Sequence, residues 1–153
     1  AILRSNTGNG RAARSTLGQA LHTIQDFYAH SNWTQDPGLK QKGVNMILGN
    51  AELTRLATNQ VTCKNGGYLR GNYQLTGDGL TQLTTGYFQI GTIPPNKCNH
   101  GLLMNGINQD TSDKPFYDEA RKAAVEATYI YVTQILKDLE NNERAIRALL
   151  DRQ

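Results

Sequence analysis

Apolar residues recur at helical spacing early in the chain, where Leu17, Leu21, Ile24 and Tyr28 form one stripe. The pattern predicts a helix over 9–31, with Asn9 as a suitable cap. Asp36-Pro37-Gly38 then marks a loop, and a shorter helix is expected over 44–57, carrying Met46, Ile47, Leu53 and Leu56. Across 60–113 the periodicity is lost. Gly, Asn and Thr dominate, Pro94-Pro95 interrupts, and only short apolar runs such as 86–93 remain, so a long irregular region with room for one short β-hairpin is expected. The helical pattern returns with Ser112 or Asp113 as cap and Pro115 in the first turn. It runs through Phe116, Ala120, Ala123, Ala127, Ile130 and Ile135. Asn141-Asn142 should interrupt it, leaving a last short helix over 145–150. The expected fold class is all-α, a helical core with a long irregular loop region.

Composition narrows the picture without redirecting it. At 153 residues the chain fits one domain over 1–153, long enough to bury a core of its own. With 38% hydrophobic and 19% charged residues it reads as globular, and a net charge of +3 is too small to announce a nucleic-acid protein. No run approaches the roughly 18 apolar residues of a membrane span, so membrane contact would be peripheral. The opening Ala1-Ile2-Leu3-Arg4 looks like the tail of something already helical, which suggests that an upstream segment was processed off or belongs to another chain. Cys63 and Cys98 fit a disulfide, free thiols or metal ligation, in that order. Bridged, they would close a loop of about 35 residues and stabilise by roughly 3–4 kcal/mol. A bridge would imply an oxidising compartment, hence a secreted or extracytoplasmic location.

The candidate chemistry lies on the first helix. His22, Asp26 and His30 are four apart and form a polar stripe nearly opposite the apolar one. A solvated face is the ordinary meaning of such a stripe. Against it, small Gly18 and Ala29 flank the stripe, admitting other backbone, and Trp33 continues the same side. The two histidines are separated by about 12 Å along the axis, too far for one ion. Asp26 lies between them, so the spacing favours two metals bridged by its carboxylate, the usual apparatus for attacking phosphate esters. Zinc leads among the ions suited to imidazole and carboxylate, ahead of manganese or iron. His100 would sit on a turn braced by Cys98. Asp110, Asp118 and Glu119 are the nearby acids; Asp118 is a candidate ligand, although a helix first turn favours acids anyway.

Four blocks resemble the Het-C family: LGQALHTIQDFYAHSNW at 17–33, LTTGYF at 83–88, PPNKCNHG at 94–101 and GINQDTSD at 106–113. That resemblance implies an all-helical domain related to zinc-dependent phospholipase C. By position, His22, Asp26 and His30 match its ligand helix, and His100 the histidine of its KCxHG loop. Tyr117 stands where the family pattern has a histidine, and Gln109 where it has a lysine. Three histidines are also too few for a trinuclear cluster.

The function so implied is a secreted, zinc-dependent phosphodiesterase of phospholipase C type, acting on phospholipid at a membrane surface as a toxin or effector. Asp26 would bridge and orient the metals, and Asp110 would be an accessory acid or base. A different class of reading is a membrane-disrupting toxin or incompatibility factor that assembles on membranes, with metal in a structural role only; an upstream segment or a homo-oligomer is the further partner to expect. A nuclease is disfavoured, because no row of aromatic stacking residues alternates with basic ones. Asn32-Trp33-Thr34 spells an N-glycosylation acceptor beside the stripe, and Asn32 is expected to be unmodified.

Overall fold

The computed structural model of the chain describes residues 9–44, 60–64, 74–80, 82–86, 96–101 and 106–150. The fold is all-α, as the periodicity predicts. Helix α1 runs Gly10–Ala29, opened by the Asn9 side chain, which accepts from the Ala12 N–H at 3.1 Å. The expected helix over 44–57 falls outside the described residues, apart from its first position. Where a plain loop was expected, a short α2 spans Pro37–Gln41. Asp36 caps it by accepting from Gly38 and Leu39, and Pro37 needs no N–H there.

Helix α3, Tyr117–Asp138, packs on α1. Its start differs from expectation. Neither Ser112 nor Asp113 caps it; the cap position is Phe116, in the left-handed region at φ 63 with no side-chain hydrogen bond. The chain is already turning before Pro115: Lys114 N–H donates to the Thr111 carbonyl and Tyr117 N–H to that of Lys114. Asp113 is spent within that turn, on Thr111 and Lys114. At the other end the helix stops at Leu139, and Asn142 accepts from Ala145 N–H to open α4, Glu143–Leu150.

Two apolar clusters join these helices. Ile24, Tyr28 and Trp33 meet Ala120, Ala123 and Ala127, while Ala13 meets Ile135, Leu139, Ala145 and Leu149. The start of α1 thus lies against the end of α3, so the two run antiparallel. Alanines on α3 let the helices approach closely enough to bury Tyr28 completely, and its hydroxyl donates to the Val44 carbonyl at 2.6 Å. Trp33 does not continue the polar stripe. It is buried and meets Tyr28 edge-on at 5.0 Å. Among the described residues, nothing lies within 4 Å of where a Cβ on Gly18 would stand, so no described backbone approaches there.

The hairpin expectation is met in miniature by β1, Cys63–Lys64, and β2, Gln74–Leu75, paired antiparallel with Cys63 opposite Leu75. Cys63 and Cys98 form a disulfide and pack with Ile107 and Leu75 as a third small core. The Asn96 carbonyl accepts from both Thr62 and Cys63 N–H groups, fixing 96–98 beside β1.

Candidate functional site

The end of α1 is where the loops converge. His30 follows the last helical residue, and its N–H still donates to the Asp26 carbonyl at 2.8 Å. Its own carbonyl accepts from Gly86 N–H at 2.8 Å, while the Ala29 carbonyl accepts from Gln109 N–H at 2.9 Å. Orphan carbonyls at a helix end need partners, and here two separate loops supply them. Gln109, buried, donates through Nε2 to the Ser31 carbonyl at 3.0 Å and accepts at Oε1 from the Thr34 hydroxyl at 2.7 Å. These bonds dock 106–110 along the helix end and set Asp110 beside His30.

Sequence reasoning left the local anchors of this dock unread. Asn32, fully buried, donates through Nδ2 to the Gly79 and Gln82 carbonyls at 3.0 and 2.9 Å and accepts from Thr84 N–H at 2.9 Å. All its hydrogen-bonding groups are engaged and the amide nitrogen is enclosed, in keeping with the expectation that Asn32 carries no glycan. Gly106, at φ 113, lies so close to Asn99 that an added Cβ would stand 2.1 Å from its carbonyl oxygen. A Cβ on Gly86 would meet His100 Cα at 2.6 Å. Glycines at these two places let the 96–101 turn nest against the helix end.

The structure sorts the predicted site residues into a pair, a group of three and an outlier. His22 Nε2 lies 3.1 Å from Asp26 Oδ2 on the exposed face of α1. His30 Nε2 lies 3.1 Å from Asp110 Oδ2, joining residues far apart in the chain. His30 Nδ1 faces the Ile107 carbonyl at 3.0 Å, and the ring of His100 stacks on that of His30 with centroids 3.6 Å apart. Burial, and then the His30 ring, lower the pKa of His100 from its ordinary value, against an opposing pull from Asp110 and Asp26. Asp118 stands apart, exposed in the first turn of α3.

Four of these residues are also tied to one cleft of about 590 Å³ between α1 and α3, a size suited to a small ligand. His22, Asp26 and Asp110 line one side; Tyr117, Arg121 and Thr128 line the other. His30 reaches it through Asp110. Arg121 and Thr128 were missed by sequence reasoning, although positions 117, 121 and 128 share a helical face. Nothing in the residue types marks that face as facing a cleft until α1 is laid against it.

His30 Nδ1 opposes a carbonyl oxygen, which can only accept, so Nδ1 carries the proton. Nε2 then turns toward a carboxylate oxygen, another acceptor. That contact is attractive only with a proton or other positive group at the His30–Asp110 edge. Among the described residues, no group of three or more His, Cys, Asp or Glu side chains is arranged to hold a metal ion. Asp26 is engaged with His22 and not shared with His30, whose ring is engaged instead by the Ile107 carbonyl and Asp110. No described helix is long and apolar enough to cross a membrane.

Fold and cleft together define a small helical domain with a ligand-sized cleft of mixed charge. Comparison with known proteins places it further. Residues 1–145 match the family described as the VWA7 N-terminal domain, and the chain belongs to that family. It is 39% identical over 117 residues to von Willebrand factor A domain-containing protein 7 of Rattus norvegicus, and 38% and 37% identical to the proteins of that name from Homo sapiens and Mus musculus. Each alignment covers 68% of this chain and 13% of the relative, so the chain spans a small part of their length. No solved structure matches.

This placement corrects the resemblance to Het-C, and with it the zinc-dependent phospholipase C, the toxin or effector and the membrane-disrupting factor. The relatives are VWA7 proteins. The physical reason is visible at α1: the spacing HxxxDxxxH specifies positions on a helix, while the partners those side chains engage are set by loops whose docking the spacing does not encode.

Proposed function

We propose that this domain is a recognition module whose cleft takes a positively charged group at the edge between His30 Nε2 and Asp110 Oδ2, with His22 and Asp26 as a second acceptor pair. The observation that carries this is the arrangement around His30: one ring nitrogen held by the Ile107 carbonyl, the other facing a carboxylate at 3.1 Å. A backbone carbonyl on Nδ1 fixes the ring so that Nε2 is presented toward Asp110. An alkylammonium is a positive group that can donate to that edge. The buried Cys63–Cys98 bridge supports placing the module in an oxidising compartment.

Titrating the domain with ethylammonium chloride, while following histidine ring resonances, tests the reading. We expect the His30 signals to move. Asp110→Asn should weaken that response at least tenfold without unfolding the domain, since Asp110 is half-exposed and an asparagine amide can itself donate to Nε2. Unmoved His30 resonances, or a variant that binds as the parent does, would sink the proposal.

A further inference from the structure

The opposite wall of the cleft is chemically different. Arg121 lines it and makes no hydrogen bond or ion pair with any described residue. Its natural partners share the same cleft, yet Asp26 is taken by His22 and Asp110 by His30. The guanidinium charge is therefore left unspent beside two carboxylates that are already engaged. Two turns along α3, about 10 Å by helix rise, Thr128 lines the same wall, and its hydroxyl oxygen is buried with no hydrogen-bond partner among the described residues. Buried polar atoms in folded proteins are ordinarily satisfied, so an orphan hydroxyl at a cleft wall marks a place where something else supplies the bond. Tyr117, one turn before Arg121, adds a phenol to the same face.

We infer that Arg121 recognises a compact oxyanion, a carboxylate or a phosphate, carried by the ligand of this cleft, with Thr128 and Tyr117 as hydrogen-bonding neighbours. A planar guanidinium presents paired N–H groups that match two oxygens of such an anion, which an ammonium at that position would not do. The inference rests on the reading of the cleft as a ligand site and deepens it: the ligand carries both signs of charge, positive toward His30 and Asp110, negative toward α3. A zwitterionic small molecule meets that description. An ordinary solvated arginine would account for the exposure of Arg121 but not for the orphan hydroxyl sharing its wall.

Inorganic phosphate and sodium acetate, titrated into the domain without any added cation, separate the two anion types. The readouts are the Thr128 amide and Arg121 side-chain resonances. At least one anion should shift both. Arg121→Gln should weaken that binding at least tenfold, while Lys122→Gln, which removes the same charge from the neighbouring exposed position outside the cleft, should change it less than twofold. Equal losses in the two variants would reduce the effect to general charge and overturn the inference. So would shifts confined to surfaces remote from Thr128, or no response to either anion. Asp110→Asn should keep the phosphate response, so a failed cation edge and a failed anion wall give different results.

Discussion

Along the seam of α1 and α3, contact is made by carbon: Ala120, Ala123 and Ala127 lie under Ile24 and Tyr28, with Trp33 closing one end. In the described loops between 60 and 110, only a small apolar core forms around Ile107 and Leu75, and the remaining contact is made by polar atoms and one covalent bond. Asn32 reaches the Gly79 and Gln82 carbonyls, Gln109 bridges Ser31 and Thr34, and Cys63 is joined to Cys98. The first region needs only a stripe of apolar residues at the right period, and many sequences would serve. The second needs particular atoms at particular places, because each buried amide or carbonyl is costly unless its partner is present. The site belongs to both. The seam supplies a rigid wall, and the loops carry Asp110 and His100 to the end of it.

The comparison can be broken first at the seam. Tyr28→Ala should cost about 3–5 kcal/mol, as truncation of a fully buried aromatic does, and should lower the midpoint of urea unfolding. Helices and loops should be lost in one transition, because Tyr28 also holds the Val44 carbonyl. If the loops stayed folded while the helices melted, the seam would not be their support.

A smaller effect is expected from the loops' own brace. Replacing both Cys63 and Cys98 with serine should cost about 2–4 kcal/mol. Far-ultraviolet circular dichroism should keep its helical signal, while the resonances of His30 and His100 lose the mutual ring-current shift of a 3.6 Å stack. An unchanged stack would show that the glycine-seated turn holds His100 without the bridge.

Asn32→Ala should come next, at about 1–3 kcal/mol, since it leaves Thr84 N–H and two carbonyls without their partner. The same residue bears on glycosylation. Protein from a eukaryotic secretory host should show an intact mass without glycan at Asn32; a folded species carrying one would contradict the buried amide.

These differences also explain what the residue pattern could disclose. Leu17, Leu21, Ile24 and Tyr28 announced α1 because a helix buries one face, and period alone identifies it. The Asn9 cap and the break at Asn142 were legible for the same local reason. Trp33 misled, because an aromatic beyond a helix end can turn either way, and here it turned into the core. At the site, the His22–Asp26 pair was legible because both residues share one helix. The His30–Asp110 pair was not, since it depends on Gln109 docking across the helix end, and a buried glutamine has no periodic signature. Arg121 and Thr128 stayed hidden because a cleft wall is defined by what lies opposite.

Asp118→Asn should have the smallest effect, and it sharpens the comparison most finely. Asp118 was grouped with the histidines as a candidate ligand, yet it sits exposed in the first turn of α3 and does not line the cleft. Its charge has an ordinary use there, easing the positive end of a helix whose cap makes no side-chain hydrogen bond. Neutralising it should therefore change stability by only about 0.3–1 kcal/mol, with the loss fading as salt is added. Cation binding, read at the His30 ring, should match the parent protein. Asp110→Asn, a chemically identical change eight residues earlier, should do the reverse: little to stability and much to binding. Should Asp118→Asn weaken cation binding as Asp110→Asn does, the positive group would lie nearer the start of α3 than the His30–Asp110 edge, and the pairing seen at His30 would be only structural.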